Sequence, residues 1–542
     1  MPTTPTQQPK RAPCQAGCIA GADPRGWVTM IAQHERYGLT VEEAYTKAWQ
    51  TVVDVNPFPA VLGRICPHPC EAGCSRSDKD GSVQINKLER FIGDWGIEQQ
   101  LPLERLQSRS QPESIGVVGS GPAGLSFAYQ MARRGYHVTV YEGAESPGGM
   151  LRHGVPAYRL PRTVLDAEIA RILDLGVELQ LGTRVGHDRS LEGIESTHDV
   201  VFLGIGAQRG LRLGVPGERG PGIWVATEYL RRANLGERID LGHRVAVIGG
   251  GNTAIDSARV ARRSGASVTL LYRRTRTEMP AGKEEVQEAI VEGVQIEELT
   301  GVLRFEREGD RLRALVAQAM RLGDPDESGR CSPHPIAGAI REVGTDAVIV
   351  AVSQTPDWED LGACRPAGDF VEADDGLLAA GDVTGLGAAG SAIGRARLAA
   401  QNLHARLRGH RIRPESVADL PGVTTVKPEY YPANPPAETT SLPAALRLEE
   451  GEAEVHQGLT ESQALNEVNR CMSCGQCFGC EHCWMFCAHD CFSPVGETRP
   501  RGYFELTIDQ CHNCGKCVDV CPCGFLTFGP ESADNAIEPP ST

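Results

Sequence analysis

No stretch of this 542-residue chain approaches the roughly 18 consecutive apolar residues that a membrane-crossing helix needs. The opening segment, MPTTPTQQPKRAP, lacks the apolar core of a secretory leader. The chain is therefore expected in the cytoplasm. A basic excess is also missing: 54 Lys and Arg stand against 70 Asp and Glu, for a formal net charge of −16. Nucleic acid is not expected as a partner, because phosphate binding needs a basic face. Cysteine is nearly absent from the middle of the chain, where only Cys331 and Cys364 fall between Cys74 and Cys471.

The other cysteines crowd at the two ends. Five are Cys14, Cys18, Cys66, Cys70 and Cys74, and twelve lie between Cys471 and Cys523. A secreted disulfide framework would need a leader, so the clusters read as metal sites. The length is too great for one core and predicts three or four domains. The expected divisions are 1–112, a helical cysteine-bearing domain; 113–238 and 351–410, two parts of one dinucleotide-binding domain; and 239–350, a second such domain inserted between them. Residues 411–460, rich in proline, read as an extended connector. Residues 461–530 form a second cysteine-rich domain, and 531–542 a frayed tail.

The segment IGVVGSGPAGLSFAYQMARRGYHVTVYE holds an apolar strand, a turn, a helix and a second strand. Gly119, Gly121 and Gly124 follow the G-x-G-x-x-G spacing. The first permits the tight turn, the second lets backbone approach a pyrophosphate, and the third lets helix pack on strand. The helix N-terminus favours the anion. The second strand ends at Glu142, whose carboxylate can accept from ribose hydroxyls.

The design recurs in RVAVIGGGNTAIDSARVARRSGASVTLLYRR, with Gly249, Gly251, Asn252 and Thr253 at the turn and Ala254 in place of the third glycine. This second unit ends on Arg273 and Arg274 instead of an acid. Paired guanidiniums suit a 2′-phosphate, which favours NADP(H) over NAD(H). The alternative is that these arginines face solvent or pair with acids such as Glu278 or Glu284.

A third segment, LLAAGDVTG, ends a short strand at Gly381 and Asp382. Here the chain resembles the two-dinucleotide flavoproteins of the disulfide-reductase type, where such a Gly-Asp contacts the flavin ribityl chain. Their redox-active C-x-x-C or C-x4-C beside the flavin is missing, which disfavours thiol exchange. The closer resemblance is to the glutamate synthase small subunit and its relatives. It rests on GSGPAG (with Pro122 and Ala123), PGGMLRHGVPAYRLP (147–161, with Gly149), GVPGE (214–218), GGGNTAID (249–256) and YRRTRTEMPA (272–281). It spans residues 12–405 and implies FAD at the first turn, NADP(H) or NAD(H) at the second, and hydride transfer between nicotinamide and flavin. The flavin carries the hard chemistry, and no side chain is assigned as acid or base.

The carboxy-terminal run holds C-x2-C-x2-C-x3-C twice: Cys477, Cys480, Cys483, Cys487, then Cys511, Cys514, Cys517, Cys521. In two-cluster ferredoxins the fourth cysteine of each run ligates the other cluster. One [4Fe–4S] cluster is thus expected on Cys477, Cys480, Cys483 and Cys521, the other on Cys511, Cys514, Cys517 and Cys487. Zinc is disfavoured, because its sites use C-x2-C pairs and not triplets. Ala488 stands where the first run should continue with proline, and Cys491 is a substitute for Cys487.

The amino-terminal cysteines resemble the two-cluster helical domain of glutamate synthase small subunits and dihydropyrimidine dehydrogenases. By that resemblance Cys18, Cys66, Cys70 and the carboxylate of Glu89 hold one cluster. Cys14 and Cys74 hold another and need two more thiolates. The family's leading R-C-x-x-C is absent from the amino-terminal segment but occurs at Arg470-Cys471-x-x-Cys474. Cys471 and Cys474 are therefore expected to complete the second cluster, tying the two cysteine domains together. The total is four [4Fe–4S] clusters; Cys331 and Cys364 read as ordinary small residues.

The expected class is α/β, with two Rossmann-like dinucleotide domains, an N-terminal helical iron–sulfur domain and a C-terminal ferredoxin-like 2[4Fe-4S] domain. The layout resembles electron-transfer subunits of 2-oxoacid oxidoreductases, acting on 2-oxoglutarate, phenylglyoxylate or related acids, with ferredoxin as another partner. It implies a hetero-oligomer in which substrate chemistry sits on another polypeptide. Modules serving dissimilatory sulfite reductase or flavin-based bifurcation share the layout and stay open. An iron–sulfur redox sensor without turnover is the reading from another class, and two intact glycine turns speak against it.

Overall fold

The computed structural model describes residues 3–7, 10–327, 329–361, 371–372, 377–410, 421–499 and 502–530. Cys364 and the tail from 531 lie outside the described residues. The chain divides into two units. One, here the central unit, is Glu104–Ala400 with Thr440–Gln457. The other, the cysteine-bearing unit, joins Met1–Leu103, Gln401–Thr439 and Gly458–Thr542. Among the described residues no helix is long and apolar enough to cross a membrane.

In the central unit, the strand Ser114–Val118 is apolar without alternation, and its last four residues are buried, as a strand covered on both faces requires. It lies inside a six-stranded sheet ordered Val371–Glu372, Leu377–Ala379, Val200–Leu203, Ser114–Val118, His137–Tyr141, Glu178–Gln180. All neighbours pair in parallel except the first two. The second sheet, Gln295–Glu297, Ser267–Leu271, Arg244–Ile248, Ala347–Val350, Ile223–Val225, is parallel throughout. The duplicated strand–turn–helix design thus yields two parallel sheets.

The division expected at 238 falls too late. Ile223–Val225 pairs with Ala347–Val350 and belongs to the second sheet. An antiparallel meander, Thr300–Glu308, Arg311–Pro325 and Cys331–Gly344, is set into the second domain. Its Phe305, Leu312 and Leu315 pack on Ala246, Ile248 and Val348 of that sheet. The expected connector is more tightly held than an extended tether. Within Thr440–Gln457, Arg447 is buried and pairs with Glu288, and Val455 donates to the Tyr158 carbonyl at 3.0 Å.

In the cysteine-bearing unit, helices are started by local chemistry. Thr40 and Glu43 form a capping box before Val41–Val53, and Asp23 caps Pro24–Ala32 through the Gly26 amide. Val41–Val53 buries Ala44, Tyr45, Ala48, Trp49 and Val52, one face at helical spacing. Pro59–Ile65 and Ile85–Glu98 meet without room for side chains at two points. A Cβ on Gly63 would lie 2.3 Å from the Arg90 nitrogen, and one on Gly93 2.2 Å from the Ala60 nitrogen. That contact sets Cys66, at the end of the first helix, beside Glu89 on the second.

The carboxy-terminal cysteine segment contributes an antiparallel pair, Phe492–Arg499 with Gly502–Leu506, and two one-turn helices, His482–Met485 and Lys516–Asp519. A further strand, Leu526–Pro530, pairs antiparallel with Thr3–Gln7 from the far end of the chain. Nothing in the sequence signalled that first strand. Pro5 sits inside it opposite Phe528, a position that an edge strand tolerates.

Candidate functional site

The first glycine turn has the geometry its spacing predicts. Gly119 takes φ +98°, and a Cβ there would lie 2.6 Å from the Gly204 carbonyl oxygen. A Cβ on Gly124, in the helix Pro122–Ala132, would lie 1.9 Å from the Gly119 oxygen. Gly121 is different: the nearest atom a Cβ would meet is the Gly149 Cα, at 3.9 Å. Two glycines are demanded by packing, and the middle one is left open toward the space where a pyrophosphate would sit. Gly149, at φ +52°, closes on Gly121 from the 147–161 segment. Gly381 comes to Ala123 on the first turn of the same helix, where a Cβ would lie 2.8 Å from the Ala123 Cβ. Asp382 accepts from the Gly387 amide at 3.0 Å, and burial raises its carboxyl.

Glu142 lies at the end of its strand, with a role that spacing did not reveal. Its carboxylate accepts from the Ser120 amide at 2.9 Å and hydroxyl at 2.5 Å, and from the Ala144 amide at 2.9 Å. Ser120, in the middle of the turn, therefore orients the acid before any ribose arrives.

The second turn repeats the plan. Gly249 takes φ +143°, and a Cβ there would lie 2.3 Å from the Ala351 oxygen. Gly251, ahead of the helix Asn252–Arg263, would meet only Pro280, at 3.9 Å. Asn252 accepts from the Gly282 amide at 3.2 Å, and Thr253 opens the helix beside it. The two arginines part company. Arg273 is exposed, with no ion-pair partner among the described residues. Arg274 is buried, donating to Asp326 at 2.6 Å and to the Cys331 carbonyl at 2.7 Å. Arg274 is thus held by the meander and is not free for a phosphate. Its partner is Asp326, not Glu278 or Glu284. Glu278 instead accepts from the Cys331 amide at 2.7 Å.

Apart from Cys331 on the meander, the described cysteines gather into four groups, all within one unit. Two short helices, Pro13–Gly17 and Pro69–Ala72, lie against each other at Gly17, where a Cβ would stand 3.0 Å from the Cys70 Cα. Each helix is flanked by cysteines four residues apart, so each pair divides between two sites. Site I takes Cys18, Cys66 and Cys70. The Glu89 charge acts on all three. Glu89 accepts from Asn56 at 2.9 Å, and burial raises its carboxyl to about 7. Burial, with Glu89 nearby, pushes Cys66 up to about 12.

Site II is a cavity lined by Cys14, Cys74, Cys471 and Cys474. The segment carrying the last two is pinned through Arg470, which is fully buried. It pairs with Glu467 and donates to the carbonyls of Asn434, Gly81 and Ser82 at 2.7, 2.6 and 2.8 Å. Arg76 donates to the Arg470 carbonyl at 2.8 Å. The arginine that precedes C-x-x-C is therefore the anchor that brings it to the amino-terminal helices.

Site III is lined by Cys477, Cys480, Cys483 and Cys521, with Cys523 as a fifth thiol. The Cys521 and Cys523 sulfurs are 3.9 Å apart, and the Cys523 thiol lowers Cys521 to about 6. Site IV is lined by Cys511, Cys514, Cys517 and Cys487, with Cys491 beside them. The Cys491 amide donates to the Cys487 sulfur at 3.4 Å. Among the described residues no three His, Cys, Asp or Glu side chains converge tightly enough for a single metal ion. The thiols stand apart around cavities instead. Soft thiolate donors in fours, or three with a carboxylate, are a donor set that fits an iron–sulfur cube.

Two glycine turns on parallel sheets, with a cysteine-rich unit in the same chain, define a pyridine-nucleotide flavoprotein with iron–sulfur sites. The sequence matches the pyridine nucleotide-disulphide oxidoreductase family over residues 113–403 and the dihydropyrimidine dehydrogenase domain II, 4Fe-4S cluster family over residues 7–101. The chain belongs to the pyridine nucleotide-disulphide oxidoreductase family and is an oxidoreductase with an FAD and pyridine-nucleotide frame and a 4Fe-4S domain. It is 39% identical over 355 residues to the NADPH-Fe(3+) oxidoreductase subunit beta of Geobacter sulfurreducens, covering 64% of this chain and 51% of that one. It is 32% identical over 507 residues to the NADP(+)-dependent formate dehydrogenase subunit beta of Moorella thermoacetica, covering 85% and 70%. It is 33% identical over 316 residues to the glutamate synthase [NADPH] small chain of Escherichia coli K12, covering 56% and 67%. The chain thus spans about half the length of the Geobacter relative.

Proposed function

We propose that this chain is the nicotinamide-reacting, electron-transferring subunit of a larger complex. FAD binds at Gly119, Gly121, Pro122, Ala123, Gly124 and Glu142, with Gly149, Gly381 and Asp382 closing around it. NADP(H) binds at Gly249, Gly251, Asn252 and Thr253, with Arg273 on the 2′-phosphate. Four [4Fe–4S] clusters occupy sites I to IV, the last two as a ferredoxin-like C-terminal domain. When bound, FAD accepts a hydride and releases electrons singly, and the clusters carry one electron each.

The chain's own residues bind, orient and insulate. The turn amides face the two pyrophosphates, and Ser120 fixes Glu142 for the ribose. Amides of Ala22, Cys491, Asn513 and Leu526 point at cysteine sulfurs at 3.3–3.5 Å. Such hydrogen bonds stabilise added negative charge on a cluster and raise its potential. The partner is a protein that gives or takes single electrons, of the 2-oxoacid oxidoreductase type or a ferredoxin. The relatives named for formate dehydrogenase and Fe(3+) reduction are consistent with one such module serving different partners.

The observation that carries this reading is the convergence of 15 cysteines and Glu89 into four separate groups. The test is anaerobic purification followed by flavin, iron and acid-labile sulfide analysis, with NADPH and NADH compared as reductants of a dye. Four sites predict about 16 iron atoms per chain. Protein holding neither flavin nor sulfide would overturn the reading, and turnover too slow to measure would favour a sensor.

A further inference from the structure

Resting on the four sites just proposed, the question is how they are connected. Sites I and II share two short links, Cys14-x3-Cys18 and Cys70-x3-Cys74. Sites III and IV share two, Cys483-x3-Cys487 and Cys517-x3-Cys521. Sites II and III are joined by Cys474-x2-Cys477. Three residues span at most about 10 Å even when fully extended. Ligand pairs this close do not link I with III, I with IV, or II with IV. The sites therefore form a line, I–II–III–IV.

The II–III step is braced from several sides. The Gly475 amide donates to the Cys523 carbonyl at 2.6 Å, joining the loop between the two sites to the carboxy-terminal ligand loop. Gly475 takes φ +71°, and a Cβ there would lie 2.5 Å from Val423 and 2.8 Å from the Lys10 Cβ. Lys10, which is buried, donates from its amide to the Gly475 carbonyl at 3.3 Å and from Nζ to the Gly524 carbonyl at 2.5 Å. Arg25 donates to the carbonyls of Lys10 and Cys474, both at 2.7 Å. Tyr431 covers the step. Its hydroxyl donates to the Met472 carbonyl at 2.7 Å, and its ring packs on Phe478 at 5.8 Å between centroids. Burial raises its phenol first, and the thiols that add to this are Cys523 and Cys480 on one side and Cys474 and Cys471 on the other.

We infer that the Cys474–Cys477 step, locked by Gly475 on Cys523 and covered by Tyr431, is the fixed junction between the amino-terminal and carboxy-terminal cluster pairs. The carboxy-terminal domain is then a rigid extension of the wire and not a tethered shuttle. NADPH supplies two electrons, leaving NADP⁺ and a proton. Each electron crosses the junction singly, as a one-electron oxidation on the site II side and a one-electron reduction on the site III side.

The test uses the anaerobic holoprotein, with flavin and iron counted first. A wild-type chain lacking flavin or the full iron complement overturns the functional reading and the junction with it. Given the full complement, pulsed EPR of dithionite-reduced wild type should show magnetic interaction between the two cluster pairs. Magnetically isolated pairs would overturn the junction alone. In the double variant C471S/C474S, iron should fall by one cluster and NADPH should still bleach the flavin. With the flavin feeding the amino-terminal pair, which is part of this proposal, the carboxy-terminal pair should then stay oxidised with NADPH yet be reduced by dithionite. Reduction of that pair by NADPH at the wild-type rate would sink the junction and leave the functional reading intact. If the double variant does not fold, the wild-type EPR measurement decides by itself.

Discussion

Arg159 grips Asp256 with one nitrogen, Nη1 lying 3.0 Å from one carboxylate oxygen and 2.7 Å from the other. The first residue belongs to the 147–161 segment that closes on the first glycine turn, the second to the helix that follows the second turn. Arg159 also reaches Glu285 at 3.2 Å. This buried pair fastens the two dinucleotide domains to each other. Arg159→Ala removes the nearest counter-charge of buried Asp256, leaving it the Tyr158 hydroxyl and the field of Arg259, and should cost about 3 kcal/mol, measured as a lower urea midpoint for loss of bound flavin.

Gly121 separates folding from binding. Its Cβ position is open, whereas that of Gly124 is blocked at 1.9 Å. Gly121→Ala should keep the thermal midpoint within a few degrees yet weaken flavin binding about tenfold or more, a loss of about 1.4 kcal/mol. Gly124→Ala should lower the midpoint itself. Differential scanning fluorimetry alongside flavin titration distinguishes the two.

Arg273 and Arg274 should behave oppositely. Removing exposed Arg273 should take away its proposed charged contact with the 2′-phosphate, worth about 1.5–3 kcal/mol. KM for NADPH should rise roughly 10- to 100-fold while that for NADH stays put. Arg274→Ala should instead destabilise the meander by removing its hydrogen bonds to Asp326 and to the Cys331 carbonyl, with the NADPH-to-NADH preference of the folded fraction unchanged. Steady-state dye reduction with both nucleotides reads out both effects.

Asp346 accepts from the His243 and Arg244 amides and from the Arg244 guanidinium, at 3.1, 2.8 and 2.9 Å. The Arg244 side chain leads in holding its carboxyl near 2, below the ordinary 3.8. A carboxyl lowered by folding adds stability above its unfolded value and loses it as pH falls through the folded one. The stability gap between wild type and Asp346→Asn should therefore be constant from neutral pH down to the ordinary carboxyl range. It should close as pH drops toward 2, as followed by urea denaturation across pH.

Removing the clusters should divide the molecule. The core of the carboxy-terminal segment is made largely of Cys491, Cys517, Cys521 and Cys523 with Phe492, Phe504 and Phe525, so its packing depends on what the thiols hold. The central unit has its own aliphatic cores. After oxidation and chelation, calorimetry should lose the transition of the cysteine-bearing unit and keep a flavin-bearing one.

Local chemistry was legible because it repeats at fixed spacing. Gly119, Gly121 and Gly124 announce their turn, and the cysteine triplets announce theirs. Glu142 was legible as an acid at a strand end, but not its dependence on Ser120, since a lone serine in a turn carries no periodic signal. Arg274 was misread because adjacent arginines look alike in sequence. Only the meander, which delivers Asp326 from 52 residues away, tells them apart. Cys523 and Cys491 were left over by spacing rules that count four ligands, whereas both line the cavities. The boundary near Ile223 was missed because a three-residue strand has too few side chains to show a period.

The pairing of Thr3–Gln7 with Leu526–Pro530 has a consequence for biogenesis. A ribosome releases the first of these strands long before it makes the second. The central unit can collapse while synthesis continues, since its main stretch is contiguous. With the ligand sets proposed, Cys14 and Cys74 must wait, reduced and uncapped, until Cys471 and Cys474 are made, whereas Cys18, Cys66 and Cys70 have their partners early. Cluster assembly at site II, as proposed, is then a late event, and the interval before it is when oxygen can do the most harm.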